Sequence, residues 1–412
     1  MNSYFILIIL ITLSAAFAYV NHRFIKMPFV IGLFFLSTIF SLIIVSSKIW
    51  DFQHYLLVKN IIAQTDLSYV ILDVMLGFLL FAGSLHTPWN EIKKQWKPIG
   101  IFAVGGVIAS TIIIASILSL LCDWLQLPVS FIHCLVFGAL ISPTDPIAVL
   151  GILTKANVSK RIESTIVGES LFNDGVGVVI FIALLETLKL GNSHIDFGHF
   201  AVLFIQEAVG GIFFGLILGY LLYWLLKSID NYETEVLMTI AFVMAGYSLC
   251  SYFHLSGALA MVIMGLFIGN YNQNKAMSDT TLEYVHKFWE LIDVILNAIL
   301  FISIAFVVIV IDFKSTYFIV GFASIIIVLL SRIIVVWLPN LLLSDLTRFK
   351  PKEARLIIWG GLRGGLSIAL VLSLPDSEAK QILIIATYAC VVFSILVQGL
   401  TIGKVAAKIT QS

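Results

Sequence analysis

Apolar runs of about 20 residues alternate with short polar gaps along nearly the whole chain. A helix of that length matches the hydrocarbon core of a bilayer, and lipid offers no other partner for backbone groups. The pattern therefore predicts an all-α membrane protein of about thirteen spanning helices. The predicted segments are residues 4–19, 27–47, 67–85, 98–122, 128–154, 162–188, 200–229, 236–253, 255–271, 285–310, 317–343, 354–374 and 380–403.

Lysine and arginine are unevenly distributed between the two sides that these segments define. Seventeen lie in gaps on one side, five lie on the other, and the remaining two, Arg332 and Arg363, lie inside predicted helices. Basic loops stay in the cytoplasm, so the N-terminus is predicted outside and the C-terminus in the cytoplasm of a cell-membrane protein. Arg23 and Lys26 follow the first apolar run, which predicts a retained helix and not a secretion signal.

Composition agrees with a membrane protein, since 60% of the 412 residues are hydrophobic and 12% are charged. The 24 basic and 24 acidic residues balance, so no nucleic-acid partner is expected. The four cysteines are scattered in apolar context and are expected to be buried small residues. The longest gaps are about 20 residues, so no soluble domain is expected.

Four charged residues are predicted near the middle of the membrane, where a charge costs about 2.5–3.5 kcal/mol. They are Asp145, Glu169, Asp174 and Arg363. A structural ion pair accounts for one carboxylate and the arginine but leaves two carboxylates, which indicates a functional site. Other intramembrane charges lie closer to helix ends or have structural explanations, and their roles stay open: Asp73, Glu186, Glu207 and Arg332.

Two predicted helices carry residues that interrupt a helix. Pro143 and Pro146 flank Thr144-Asp145, and four glycines surround Arg363 in "WGGLRGGLS". The interruptions fall in the fifth and twelfth helices, which are equivalent places if helices 1–6 and 8–13 are two halves of opposite orientation. Inverted repeats with interrupted helices are typical of secondary transporters, whose site lies where those helices meet.

The sixth predicted helix adds a polar strip one turn long at the same depth. Its members are Glu169, Ser170, Asn173 and Asp174. Gly168, Gly175 and Gly177 lie beside the strip, and they are expected to let an interrupted helix approach closely. Carboxylate, hydroxyl and amide oxygens suit a hard monovalent cation, and the Asp174 carboxylate can take a proton instead.

These motifs resemble those of the monovalent cation/proton antiporters of the sodium/proton exchanger kind, including the prokaryotic NhaP-like members. The matching stretches, in the family's order, are "SPTDPIAVL", "GESLFNDGVGVV", "HLSGALAMVIMGLFIGN" and "GLRGGLSIALVLSLP". The resemblance covers nearly the whole chain. It implies crossed interrupted helices 5 and 12 and a homodimer. It also implies a scaffold of residues 1–97 with 200–310, against which an ion-translocating core of residues 98–188 with 317–403 moves.

The resemblance also implies roles for individual residues. Asp174 is expected to bind either sodium or a proton, and Asp145 is expected to be the second aspartate of the site. Sodium is expected to bind at Asp174 together with the Ser170 hydroxyl and the Thr144 backbone oxygen. No cofactor is implied beyond the transported ions.

Two further residues refine this expectation. Glu169 resembles the glutamate that pairs with the arginine of the twelfth helix, here Arg363, which would otherwise be an unpaired buried cation. Asn173 stands in the ion-binding strip where electrogenic relatives have an aspartate. With an amide there, one carboxylate exchanges, which implies one cation for one proton and no net charge moved.

The resulting hypothesis is electroneutral exchange of sodium, or another alkali cation, for protons by alternating access. An intramembrane aspartyl hydrolase built on Asp145 and Asp174, a cation channel and a sodium-coupled solute transporter are alternatives. Residue types do not decide between sodium, lithium and potassium, nor do they define the pH set point.

Overall fold

The computed structural model describes residues 3–63, 66–146, 150–153, 156, 158–190, 197–271, 277–311, 314–347 and 349–410, and no β-strand occurs among them. Their helices are α1 Ser3–Val20, α2 Phe29–Ser46, α3 Phe52–Ala63, α4 Leu67–Leu85, α5 Trp89–Lys94, α6 Trp96–Trp124, α7 Phe131–Ile141, α8 Lys160–Lys189, α9 Phe197–Leu226, α10 Tyr232–Tyr252, α11 Gly257–Tyr271, α12 Asp279–Val310, α13 Ser315–Leu342, α14 Ser344–Thr347, α15 Pro351–Gly360, α16 Gly365–Leu372 and α17 Glu378–Lys408. The predicted all-α class is confirmed.

Ten of the described helices are long and apolar enough to cross a membrane, and the bent pair α15 and α16 makes an eleventh candidate. The axes of that pair differ by 45°. Two further predicted segments correspond to the shorter apolar helices α7 and α11. The chain is therefore a polytopic membrane protein, and the exact count of thirteen spans stays a prediction.

Helix α3 lies in a stretch that we predicted to be only a polar gap. Its sequence, "FQHYLLVKNIIA", mixes polar residues into an apolar run, so it does not read as a membrane span. Tyr55 anchors the helix, because its side chain is buried and its hydroxyl donates to the backbone oxygen of Ile309 over 3.3 Å. The gap is thus folded against the end of α12.

Both predicted interruptions are present. The chain leaves helical geometry after α7, over residues 142–146, and turns helical again at 150–153. It leaves helical geometry a second time between α15 and α16, over residues 361–364. We refer to residues 142–146 as break 1 and to residues 361–364 as break 2.

Two buried apolar clusters surround the breaks. The larger joins α6, α7 and α8 to α13, α16 and α17, and α12 packs along it. The smaller gathers residues of α4, α9, α10 and α11 around the fully buried indole of Trp289 on α12. Helix α12 contributes to both clusters, so its polar residues stand between the two groups of helices.

Candidate functional site

The two breaks are bonded to each other where they cross. The backbone amide of Asp145 in break 1 donates to the carbonyl oxygen of Leu362 in break 2 over 2.8 Å. A Cβ atom added to Gly364 would overlap the Asp145 carboxylate. Glycine at position 364 therefore allows the second backbone to lie directly against Asp145, as helices interrupted by glycine and proline permit.

Arg363 stabilises break 1 and does not pair with Glu169. Its Nη1 group donates to the backbone oxygens of Ser142 and Pro143, the latter over 3.0 Å. In an uninterrupted helix the Ser142 carbonyl would accept from residue 146, but Pro146 has no N–H group. Arg363, which is 3% exposed, supplies the missing donor.

The predicted ion pair between Glu169 and Arg363 is therefore wrong, and the structure replaces it with another. Glu169 is bound by Arg332 of α13, whose Nη1 contacts Oε1 and whose Nη2 donates to Oε2 over 3.0 Å. The same Nη2 donates to the Ile357 carbonyl over 3.1 Å. That carbonyl lies one turn before break 2, so each break has an arginine that satisfies a carbonyl freed by the interruption.

Asn173 and Ser170 hold break 1 against α8. The Asn173 side chain donates from Nδ2 to the Thr144 hydroxyl over 2.9 Å and accepts from the Thr144 amide at 3.3 Å. The Thr144 and Ser170 hydroxyls lie 2.9 Å apart. The predicted strip is thus assembled beside Thr144, and both ends of the Asn173 amide are already occupied by that residue.

Asp174 differs from its neighbours, because it faces open space. It is half-buried, and no described residue forms a hydrogen bond or ion pair with its carboxylate. It lines a cavity of about 740 Å³ together with Ser170 and Asp145. The structure therefore brings Asp174, Asp145, Ser170 and Thr144 together, with the Asp174 carboxylate exposed to the cavity.

The cavity runs from this site to one face of the protein. Its outer lining includes Glu91, Lys160 and Glu163, so it opens on the side that carries most of the basic loops. A second cavity, of about 870 Å³, lies at the other end of α12 and is lined by Asp66 and Lys380. Among the described residues, none lines both cavities, and neither aspartate of the site lines the second.

The three glycines beside the strip have different neighbours. A Cβ atom on Gly177 would overlap Pro143, so this glycine does allow α8 to approach break 1 as predicted. A Cβ atom on Gly168 would come within 2.5 Å of Ile99, and one on Gly175 within 2.5 Å of Leu259. These two glycines therefore allow approaches by α6 and α11, and the prediction is wrong for them.

Two residues that support break 2 were not predicted. The Ser394 hydroxyl accepts from the backbone amide of Arg363 over 2.8 Å and donates to Gln398. Gln398 in turn donates to the Trp359 carbonyl over 3.3 Å. Both lie where α17 widens into a π-helical turn, Phe393–Gln398. In the sequence, the feature that could have indicated this support is a serine and a glutamine one turn apart in an apolar span.

Other intramembrane charges lie away from the crossing. One Glu207 carboxylate oxygen is buried and has no hydrogen-bond partner among the described residues. Asp73 is near Asp66, and neither lines the cavity that reaches Asp174.

All four cysteines are buried free thiols, as predicted. Arg332, whose role was left open, forms a buried ion pair with Glu169.

An all-helical membrane body, two crossed interruptions and a carboxylate facing a one-sided cavity define a secondary transporter. Comparison with known protein families places the chain within that class. Residues 9–408 match the family model described as "Sodium/hydrogen exchanger, transmembrane". The chain therefore belongs to the sodium/hydrogen exchanger family, whose members are transporters and not enzymes.

Similar proteins cover almost the full length. The chain is 42% identical to the Na(+)/H(+) antiporter NhaP of Pseudomonas aeruginosa, over 97% of this chain and 95% of that protein. It is 35% identical to the Na(+)/H(+) antiporter NhaH of Halobacillus aidingensis, over 85% and 86%. The solved structure of the sodium proton antiporter MjNhaP1 from Methanocaldococcus jannaschii at pH 8 has the same fold, with a TM-score of 0.76, 19% identity and coverage of 98% and 97%.

Proposed function

We propose that the chain exchanges sodium, or another alkali cation, for protons by alternating access, with Asp174 binding either ion in turn. The observation that carries this proposal is the Asp174 carboxylate, which lines the cavity without a bonded partner among the described residues, while Asn173 and Thr144 beside it are bonded to each other. Relatives at 42% and 35% identity are sodium/proton antiporters, which supports the same activity here.

The proposed sodium ligands are the Asp174 carboxylate, the Ser170 hydroxyl and the Thr144 backbone oxygen, with Asp145 close to them. No described residue donates to the Thr144 carbonyl, and we propose its oxygen as the third ligand. Asn173 does not ligate the ion in this proposal. Its amide positions Thr144 from both sides, and being neutral it adds no second exchanging charge.

We propose that the exchange is electroneutral. Glu169 is neutralised by Arg332, so its charge does not change during a cycle. We propose that Asp174 alone exchanges, one cation for one proton. The empty carboxylate would be an uncompensated charge in the membrane, which disfavours its movement and couples the two fluxes.

Alternating access requires that the site faces one side at a time. The separate linings of the two cavities support this requirement and argue against a continuous channel. We propose that α6–α8 and α13–α17 move as the core against a scaffold of α1–α5 and α9–α12. With basic loops in the cytoplasm, the open cavity faces inward, the N-terminus lies outside, and a homodimer forms through the scaffold.

Transport by purified protein in liposomes tests the proposal. Under a sodium gradient, wild-type protein should move protons in the opposite direction at a rate that a valinomycin-imposed potential does not change. Asp174→Asn should abolish this exchange while leaving the elution profile and thermal stability of the protein intact. Exchange that continues in this variant would refute the assignment of Asp174.

Competition between the two ions gives a second test. If one carboxylate binds either ion, lowering the pH raises the KM for sodium and leaves the maximal rate reachable at high sodium. Where the site is mostly protonated, one pH unit should change KM by about tenfold, by mass action. A KM that is independent of pH would mean that separate groups carry the two ions.

A further inference from the structure

The part of the cavity wall formed by α12 carries polar groups that exchange at Asp174 does not use. Helix α12 contributes Asp293 and, one turn closer to the mouth, Glu290, and both line the cavity. Asp293 is half-buried, and Asp145 lines the same cavity. Leu300, two turns further on, lines the same cavity and contacts Gly365 beside break 2. Asp293 therefore lies about 10 Å along the wall from the crossing.

Asn297 distinguishes this place from a simple acidic patch. It is 1% exposed, and its Nδ2 donates to Oδ1 of Asp293 over 3.0 Å and to the Asp293 carbonyl over 2.9 Å. Its own Oδ1 is buried and has no hydrogen-bond partner among the described residues. A buried unpaired amide oxygen costs about 1–3 kcal/mol, so a ligand that this oxygen could bind would be stabilised by it.

The chemistry of these groups suits a monovalent metal cation. Hard cations take oxygen ligands, here a carboxylate and an amide, while water in the cavity can complete the shell. Rotation of the Asn297 amide about χ2 exchanges Nδ2 for Oδ1 beside Asp293. The same side chain can thus donate to the carboxylate when the site is empty and ligate a cation when it is filled.

We propose that Asp293, which lines the cavity, and the buried Asn297 bonded to it form a second alkali-cation site, where an ion is held before it moves to Asp174. The proposal rests on the function proposed above, since it assigns the ion a route to that carboxylate. Glu290 attracts the ion from the mouth. His86 also lines the cavity, and its Nε2 lies 3.3 Å from the His286 carbonyl.

Cation binding tests the site independently of transport. In purified Asp174→Asn protein, sodium-23 NMR line broadening or thallium(I) titration should detect one remaining weak site. Adding Asp293→Asn should remove it. Adding Asn297→Leu, which keeps the Asp293 charge but removes the amide oxygen, should remove it too. No residual site in Asp174→Asn protein, or one that survives Asp293→Asn, would overturn the proposal.

Transport measured from each side provides the second readout. Asp293→Asn should raise the KM for sodium on the cavity side roughly three- to tenfold, because one charge near the ion is lost. The KM on the opposite side should change much less. Equal changes on both sides would contradict a site that serves the cavity alone.

Glu163→Gln is the matched control, since Glu163 lines the same cavity nearer its mouth. Its effect on the KM for sodium should come only from the long-range attraction of the lost charge. That effect should disappear when N-methylglucamine chloride screens the charge. The Asp293→Asn effect should persist in the same salt. If the two variants behave alike, the wall acts only as an acidic surface, and the site is refuted. Loss of exchange in Asp174→Asn is judged separately and concerns the proposed function alone.

Discussion

Arg332 binds both carboxylate oxygens of Glu169 in the interior of the membrane body, where both side chains are almost fully buried. The same guanidinium donates to the Ile357 carbonyl just before break 2. The ion pair thus joins α8, α13 and α15 at the depth of the site. The pair joins helices and does not meet the ions directly, since neither partner lines the cavity that reaches Asp174.

Removing one member of this pair should destabilise the protein strongly. Arg332→Met leaves the Glu169 charge unpaired and buried, which should cost about 3–5 kcal/mol. The double variant with Glu169→Met should recover much of that loss, because no buried charge remains. Thermal unfolding in detergent, followed by tryptophan fluorescence, measures both. A double variant less stable than either single variant would contradict the pairing.

Arg363→Met should destabilise break 1 without leaving an unpaired carboxylate. The Ser142 and Pro143 carbonyls would lose their donor, at about 1–3 kcal/mol for each buried group left unsatisfied. Arg363→Lys should be milder, because one ammonium group can replace the single Nη1 that makes both contacts. Heating followed by size-exclusion chromatography ranks the variants, and equal losses for lysine and methionine would show that the carbonyl contacts do not matter.

Gly364→Ala should impair exchange more than it impairs folding. The added methyl group meets the Asp145 side chain, and overpacking of this kind costs about 1–3 kcal/mol. Gly105→Ala is the matched control, since a Cβ atom at Gly105 has no neighbour within 4 Å. Liposome exchange rates should fall for the first variant and stay normal for the second. Normal exchange by Gly364→Ala would mean that Asp145 can move away freely.

Asn173→Asp should change the charge balance of transport. The variant is nearly isosteric, and the Thr144 amide and hydroxyl can both donate to the new carboxylate, so the fold should persist. A second carboxylate beside Asp174 should make exchange sensitive to membrane potential. Solid-supported-membrane currents measure this directly, with wild-type protein as the silent control. A variant that exchanges without current would disprove the charge argument.

The interruptions were predictable because their causes are local. Pro143 and Pro146 remove donors wherever they stand, and the glycines around Arg363 weaken a helix in any context. The polar strip that includes Ser170 and Asn173 also indicates which side of α8 lies against break 1. The family and its all-helical class were therefore predicted correctly from these motifs.

The partner of each arginine was not predictable in the same way. Arg332 and Arg363 are both buried cations near one carboxylate, and the choice depends on how α13 is rotated about its axis. Residue types do not report that rotation. Ser394 and Asn297 were not predicted for a related reason. A single polar residue in an apolar helix has no evident role in the sequence until its contacts are known.

The crossed backbones also bear on how such proteins can be recombined. Break 1 obtains its donor from Arg363 and pairs with Leu362, while α8 binds it through Asn173. A chimera that takes residues 142–146 from one homologue therefore needs that homologue's versions of positions 173 and 361–364 as well. Shuffled libraries that inherit these three pieces together should yield far more functional clones than libraries that exchange them one at a time.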